Sequence, residues 1–360
     1  MRHRTASSAV ILALSLVACG STPPITSCDP IGPATPLCGF QNPEDLALLP
    51  DRRYVLVSEY GDAGARPGRI SLLDLDTGEH AALFAGGEPV GPGPWGAPDC
   101  DGPPSTAFSP HGIHLSKRSD GLLQLLVVQH GGRESVEIFE VVKNEFDWQL
   151  AWRGCAVAPE GGLNDLVALP DGGFLVTRFG PISTPAFMFA ALKAVLFGGD
   201  TGWVYAWNRE AGFSEVPGTR AAGPNGIELS ADGEKIFLNA TLASDVRRID
   251  RRTGAIEARA AVKQPDNLTW TRDGRLLVAS LRGAAREMLS CNGVEGGSCP
   301  MPFAIVALDP NTMETETLYE GGPGTPSGAG TVGLEVDGAL LIGTFAGDRI
   351  VRVETESVRW

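Results

Sequence analysis

Residues 224–229 read Pro-Asn-Gly-Ile-Glu-Leu, and the turn Ala-Asp-Gly and a second apolar stretch follow at 231–239. The same order of polar residues, short apolar strand, Asp-Gly turn and second strand recurs at 164–177 and at 266–280. Short strands joined by Asp-Gly turns predict β-hairpins. Recurrence of the whole pattern predicts a repeat architecture built from such hairpins.

Six units of this kind begin near residues 44, 111, 164, 225, 266 and 333. Their spacing of about 40 to 70 residues is typical of four-stranded propeller blades that carry insertions. The strands are rich in β-branched residues, and the sequence has no long helical periodicity. We therefore predict an all-β fold, a six-bladed β-propeller that occupies residues 41–360.

Composition excludes some classes of function. The chain has a net charge of −14, and phosphate binding needs clustered Lys and Arg, so no nucleic-acid partner is expected. The acidic surface is compatible with cation binding, although solubility alone explains it as well. The sequence contains neither the Gly-x-Ser-x-Gly motif of a serine hydrolase nor a Gly-rich phosphate loop.

The N-terminus has the layout of a signal peptide. Arg2 and Arg4 precede an uncharged apolar run at 8–18, which is too short to span a bilayer. Leu-Val-Ala-Cys-Gly at 16–20 resembles a bacterial lipobox; a plain secretory signal is the alternative. We expect a lipoprotein-type signal at 1–18, a tether at 19–40, and export across the inner membrane. A lipid on Cys19 would then anchor the protein in the cell envelope, in the periplasm or at the cell surface.

Six cysteines remain after Cys19, an even number that suits three disulfides in an oxidising compartment. Six cysteines permit fifteen pairings. Short loops favour the bridges Cys28–Cys38 and Cys291–Cys299, which leaves Cys100–Cys155 as the third.

Residues 187–197 form an apolar segment outside the repeat. The segment is too short to cross a membrane. It could form a helix that covers the channel mouth or contacts a membrane surface, or it could simply pack into the core.

Polar residues begin most of the six units. The first strand of each propeller blade lines the central channel, so these residues should meet near its axis. Buried carboxylates need a partner or a metal ion, and no Lys or Arg leads a unit. Oxygen ligands that include amide carbonyls favour calcium over zinc or copper, and two ions would balance four carboxylates. The alternative is that these residues cap the turns that lead into strands. The set is Glu44, Asp45, His111, Asn164, Asp165, Asn225, Asp266 and Asn267.

These motifs resemble the paraoxonase and arylesterase family of gluconolactonase-like, calcium-dependent six-bladed propeller hydrolases. The resemblance runs in order through residues 44–46, 109–113, 126–130, 164–168, 225–227, 266–268 and 340–344. It covers roughly residues 41–355 and includes Ser-Pro-His-Gly-Ile at 109–113 and Asp-Asn-Leu at 266–268.

The resemblance implies two calcium ions. A structural ion would be held by Asp45, Asp165 and the backbone carbonyl of Ile113. A catalytic ion would be held by Glu44, Asn164, Asn225, Asp266 and Asn267.

The resemblance also implies a general base, His111, with His130 as its partner; we expect His111 to titrate near its ordinary pKa of about 6.5. Asp266 is an alternative base or nucleophile. The implied activity is hydrolysis of lactones or aryl esters. The alternatives are a non-catalytic, calcium-stabilised binding propeller at the surface and a gluconolactonase-like or strictosidine-synthase-like enzyme.

Two departures from the family pattern affect these expectations. No cysteine follows Cys299, so closure of the propeller must rest on strand pairing or on bridges other than the family's end-to-end disulfide. Arg-Phe-Gly at 178–180 replaces the usual Asn-Asp-His, which leaves the pocket wall and the choice of substrate open.

Overall fold

The computed structural model describes residues 23–354 except 62–65, 88–92, 146, 182–183, 292 and 295. These residues form twenty-four strands in six four-stranded antiparallel sheets. The predicted six-bladed β-propeller is therefore confirmed, and each predicted unit supplies the inner strands of one blade.

The strands follow one another in blade order. The first strand of the chain is β1 (Ala34–Cys38). Blade one contains β2 (Pro43–Leu48), β3 (Tyr54–Glu59), β4 (Arg69–Asp74) and β5 (His80–Phe84). Blade two contains β6 (Pro110–Lys117), β7 (Leu123–Gln129), β8 (Ser135–Lys143) and β9 (Trp148–Val157). Blade three contains β10 (Leu163–Ala168), β11 (Phe174–Arg178), β12 (Trp203–Asn208) and β13 (Gly212–Glu215).

The second half of the ring repeats this order. Blade four contains β14 (Pro224–Leu229), β15 (Lys235–Ala240), β16 (Asp245–Asp250) and β17 (Ile256–Ala261). Blade five contains β18 (Pro265–Trp270), β19 (Leu276–Leu281), β20 (Phe303–Leu308) and β21 (Thr315–Gly321). Blade six contains β22 (Gly330–Val336), β23 (Ala339–Thr344) and β24 (Arg349–Glu354), with β1 as its outer strand.

Strand pairing closes the ring. β1 pairs antiparallel with β24, from Ala34 opposite Val353 to Cys38 opposite Arg349. The predicted tether at 19–40 is therefore wrong for residues 34–38, because these residues cover the outer edge of blade six. Closure by strand pairing was one of the two expected alternatives.

All three expected disulfides are present, Cys28–Cys38, Cys100–Cys155 and Cys291–Cys299. None of them joins the two ends of the chain. The predicted signal peptide at 1–18 and the lipobox cysteine Cys19 lie outside the described residues.

Apolar side chains fill the spaces between neighbouring blades. Phe139 and Trp152 are fully buried in a cluster shared by blades one and two, and Phe174 and Trp207 stack between blades two and three. Inner strands of successive blades contact one another around the whole ring. The cores therefore hold six inner strands side by side around one channel.

Each inner strand begins at the same face of the propeller, which we call the upper face. Because neighbouring strands are antiparallel, the loops between second and third strands also lie there. Two such loops carry helices, α1 (Pro185–Phe197) in blade three and α2 (Ala285–Cys291) in blade five. No helix in the described part of the chain is long and apolar enough to cross a bilayer.

α1 contains the apolar segment 187–197. The Thr184 hydroxyl caps its first turn by accepting the amide of Phe187 at 3.2 Å. Only Phe187 and Ala194 are buried. Core packing is thus the wrong interpretation for most of the segment, whose exposed side chains are Met188, Phe189, Leu192, Val195, Leu196 and Phe197.

Candidate active site

A bulge near the start of every inner strand shapes the upper part of the channel. The pairing register shifts between Pro43 and Asp45 in blade one and between Leu163 and Leu166 in blade three, and the other four inner strands shift at the corresponding positions. A bulge re-aims side chains out of the regular alternation. In this way two consecutive residues of one strand can both face the channel.

The structure brings the predicted polar residues together in two layers. In the upper layer, the Asn267 amide donates to Glu44 Oε1 at 2.9 Å, and Asn225 forms a hydrogen bond with Asp266. The Thr331 hydroxyl of the sixth blade donates to the Glu44 carbonyl at 2.7 Å. All of these residues are buried, as is Asn164.

The lower layer consists of two aspartates that connect neighbouring blades. Asp45 accepts the amides of Leu46 at 2.8 Å and of Ile113 at 2.7 Å. Asp165 accepts the amides of Leu166 at 2.7 Å and of Ile227 at 2.9 Å. Each carboxylate thus bridges its own strand and the next inner strand.

Two glycines allow this close approach. A Cβ atom on Gly112 would lie 2.6 Å from the Asn164 carbonyl and 2.7 Å from Asp165 Oδ1, and one on Gly226 would overlap the Asp266 carbonyl. No side chain larger than hydrogen fits at either position. The sequence shows these glycines in the motifs, but their role requires the geometry.

Several oxygens in the upper layer have no hydrogen-bond donor. Unpartnered atoms include Glu44 Oε2 and the side-chain oxygens of Asn164, Asn225 and Asn267, all of them buried. Buried oxygens without donors are costly unless another group satisfies them. Side-chain oxygens from carboxylates and amides are the ligands that a hard cation such as calcium prefers. The residues therefore fit such an ion, although no cluster of three or more His, Cys, Asp and Glu ligands forms among the described residues.

The carboxylates of the two layers favour the same interpretation. Burial raises the pKa of Glu44 to about 7, against the effect of its bond to Asn267. Burial and repulsion from Glu44 raise the pKa of Asp45 and Asp266 well above the ordinary range, and burial and repulsion from Asp45 do the same for Asp165. None of the four pairs with Lys or Arg in the described structure. A divalent cation would supply the missing positive charge.

Two histidines stand beside Glu44 in a chain of hydrogen bonds. His111 Nδ1 lies 2.9 Å from His130 Nε2, and His111 Nε2 lies 3.6 Å from Glu44 Oε1. Burial lowers the pKa of His111 to about 4, which corrects the expected value near 6.5. His111 is therefore neutral at pH 7.

Glu134 completes this chain and was not identified from the sequence. Its Oε2 lies 3.0 Å from His130 Nδ1, and its Oε1 accepts the amides of Gly162 at 2.8 Å and Leu163 at 2.7 Å. Its only sequence signal is an acidic residue four positions after His130, which by itself is common.

The lower end of the channel opens into a separate cavity of about 300 Å³. Its lining includes His114, Glu228 and Trp270 but neither Glu44 nor His111. The lower layer, whose Asp45 and Asp165 also line the cavity, thus lies between the cavity and His111.

The atypical residues at 178–180 lie at the upper end of β11, where the Phe179 amide donates to the Gly162 carbonyl at 2.8 Å. The Arg178 guanidinium lies 4.5 Å from the ring centre of Trp203 and pairs with Glu160 at 2.7 Å. Phe179 packs against Phe187 of α1, with ring centres 5.7 Å apart.

The family model described as arylesterase matches residues 42–349. The chain belongs to the arylesterase family. Its family membership supports a hydrolase, in line with the resemblance.

Solved structures show the same fold as this chain. A gluconolactonase from Xanthomonas campestris is 15% identical, with 95% of this chain and 99% of that chain covered and a TM-score of 0.53. A luciferin-regenerating enzyme is 13% identical, with 90% and 94% covered and a TM-score of 0.53. No curated protein sequence matches this chain significantly.

Proposed function

We propose that this arylesterase-family chain hydrolyses lactones or aryl esters, with calcium in the upper layer of the channel. The observation that carries the proposal is the position of His111. Its Nε2 reaches into the channel 3.6 Å from Glu44, beside the layer of unpartnered oxygens.

Two calcium sites agree with the two layers. Asp45, Asp165 and the carbonyl of Ile113 would hold a structural ion. When bound in the upper layer, calcium would polarise the substrate carbonyl and stabilise negative charge on its oxygen. The upper residues that would hold it are Glu44, Asn164, Asn225, Asp266 and Asn267.

The histidines would move the proton. Neutral His111 accepts a proton from water at Nε2 while the water oxygen bonds to the carbonyl carbon. As the ester C–O bond breaks, the imidazolium returns that proton to the departing oxygen. His130 stabilises the charged ring by accepting its Nδ1–H. Asp266 is the alternative base, because it also lies in the upper layer.

Hydrolysis assays test this proposal. We expect turnover of a δ-lactone or phenyl acetate that is lost with a chelator and restored by calcium. His111→Gln should lower kcat by about 100-fold or more, the usual effect of removing a general base. His114→Gln is the matched control, since this second histidine of β6 lines the lower cavity. Calcium-loaded protein that hydrolyses neither substrate would contradict the enzyme proposal and favour a binding propeller.

We also propose that the protein is exported and anchored in the cell envelope by a lipid on Cys19, with its upper face toward the bilayer. The described chain begins near that face, because Ile25 pairs with Ser298 in the loop between α2 and β20. The exposed apolar side of α1 lies on the same face. Apolar helical surface of this kind stabilises interfacial binding by burial in the headgroup region.

Fractionation and vesicle binding test this location. The lipidated chain should partition with membranes, and Cys19→Ser should abolish lipidation detected by mass spectrometry. The chain from residue 20 should bind phosphatidylglycerol vesicles weakly, and Phe189→Glu should reduce that binding. Ile256→Glu, an exposed apolar position on β17 in another blade, is the control. Equal binding of both variants would contradict a role for α1.

A further inference from the structure

The chain of hydrogen bonds from Glu134 has a direction. Both Glu134 oxygens are occupied, Oε1 by the amides of Gly162 and Leu163 and Oε2 by His130. Partial burial would raise the pKa of Glu134, but its bonds to His130 and to the two amides lower it below the ordinary range. An ionised carboxylate only accepts hydrogen bonds.

Donor and acceptor roles then follow along the chain. His130 must donate from Nδ1 to Glu134, so in the neutral ring its Nε2 carries a lone pair. That lone pair accepts Nδ1–H of His111 across the 2.9 Å contact. His111 therefore presents an unprotonated Nε2 to the channel, on the side of Glu44.

A second arrangement of the same rings is self-consistent and unproductive. If His130 carried its proton on Nε2, it would donate to His111 Nδ1. His111 would then hold its proton on Nε2, where the Glu44 carboxylate could accept it. Without the Glu134 carboxylate, His130 Nδ1 loses the acceptor that opposes this arrangement.

We propose that Glu134 is a positioning residue that selects the tautomers of His130 and His111 and thereby directs a basic nitrogen into the channel. The proposal rests on the proposed function in so far as His111 serves hydrolysis. Glu134 lies in the loop before β8 and holds the amides that begin β10. The carboxylate is thus fixed relative to two blades at once.

Glu134→Gln separates this role from simple loop anchoring. The amides of Gly162 and Leu163 are donors, so they should keep the carbonyl oxygen of the glutamine. The glutamine NH₂ group then faces His130 Nδ1 and acts as a donor. The loop anchor remains, while the tautomers of both histidines are reversed. Glu140→Gln is the matched control, because Glu140 lies on β8 and pairs with Arg153.

Nitrogen-15 NMR of the histidine rings reads the tautomers without any activity measurement. The chain has five histidines, so His111→Gln and His130→Gln assign the two signals. In the calcium-loaded full chain we expect an unprotonated Nε2 on His111 and a protonated Nδ1 on His130. A protonated His111 Nε2 in the unmodified protein overturns the proposal, whether or not any variant folds.

The Glu134→Gln variant should reverse both assignments and lower kcat for a lactone by about 100-fold, with KM within about twofold. Glu140→Gln should change neither. Unchanged tautomers in a folded Glu134→Gln variant, or reversed tautomers with unchanged kcat, would overturn the positioning role. If the unmodified protein hydrolyses no ester, the proposed function fails, but the NMR result still tests the selection of tautomers.

Discussion

Removal of divalent cations should make the stability of the propeller strongly dependent on pH. With no cation, the channel contains four buried carboxylates that prefer their protonated forms. A carboxyl group whose pKa is raised by folding stabilises the folded state at low pH, and this contribution is lost as pH rises through the range in which only the folded state binds the proton. The free energy of unfolding of the metal-depleted protein should therefore fall as pH rises.

Glu44 gives the scale of this effect. Its pKa rises on folding from 4.5 to about 7. Below pH 4.5 the group is protonated in both states; between pH 4.5 and 7 only the folded state holds the proton. Above pH 7 the loss of stability relative to acid is complete and amounts to about 3 kcal/mol. The three aspartates shift in the same direction and should enlarge it.

The corresponding change in melting temperature is measurable. An unfolding entropy of about 2.1 cal/mol/K per residue over roughly 320 residues gives about 0.7 kcal/mol/K. Loss of about 3 kcal/mol should therefore lower Tm by about 4 °C between pH 5 and pH 8. Scanning calorimetry with a chelator, and again with excess calcium, measures the two profiles.

The controls are two isosteric substitutions. The glutamine of Glu44→Gln stays neutral at every pH. This variant should therefore lose about 3 kcal/mol of the pH dependence of unfolding that the unmodified protein shows with chelator. Glu316→Gln, exposed on β21, should leave it unchanged. Parallel pH profiles with chelator and with calcium would refute the assignment of a cation to the buried carboxylates.

Two further perturbations test the geometry. Gly112→Ala places a Cβ 2.7 Å from Asp165 Oδ1 and should weaken calcium binding by tenfold or more in titration calorimetry. Gly161→Ala is the control, because a Cβ at that position lies in open space. Equal calcium affinities of the two variants would show that the close approach of Gly112 is unimportant. Deletion of residues 1–40 removes β1 and should abolish cooperative thermal unfolding, since β24 then loses its outer neighbour. Deletion of residues 1–22 alone should leave the transition cooperative. A cooperative transition in the longer deletion would refute closure by β1.

The repeat was visible in the sequence because turn chemistry and polar residues recur in the same phase. Asp-Gly turns separate the first and second strands of blades two to six, and polar pairs precede the apolar run of blades one, three and five, at 44–45, 164–165 and 266–267. Because the polar residues stand at the same position in each repeat, every inner strand starts at the same face. This is enough to predict that these residues meet in one ring around the channel.

Other features depend on contacts that local pattern does not encode. β1 contains Pro36, which argues against a strand unless it lies at a sheet edge, and the edge exists only after the ring closes. Glu134 is held in place by the amide of Gly162, 28 positions away. The apolar composition of α1 is compatible with burial, with a cover over the channel mouth or with membrane contact, and its exposure depends on where the loop leaves blade three.

The closure of blade six also dictates an order of assembly. β1 pairs with β24, and Asn42 and Gly347 beside this pair, hydrogen-bonded to each other, stand 305 positions apart, so β1 has no partner until β24 has been made. Long-range pairing of this kind is intrinsically slow to form. A chain that ends early would leave β1 without a neighbour and blade six with a bare edge, the kind of surface on which strands of other molecules add. Closure of the ring therefore depends on β24, because this strand gives β1 its neighbour and joins it to the rest of blade six.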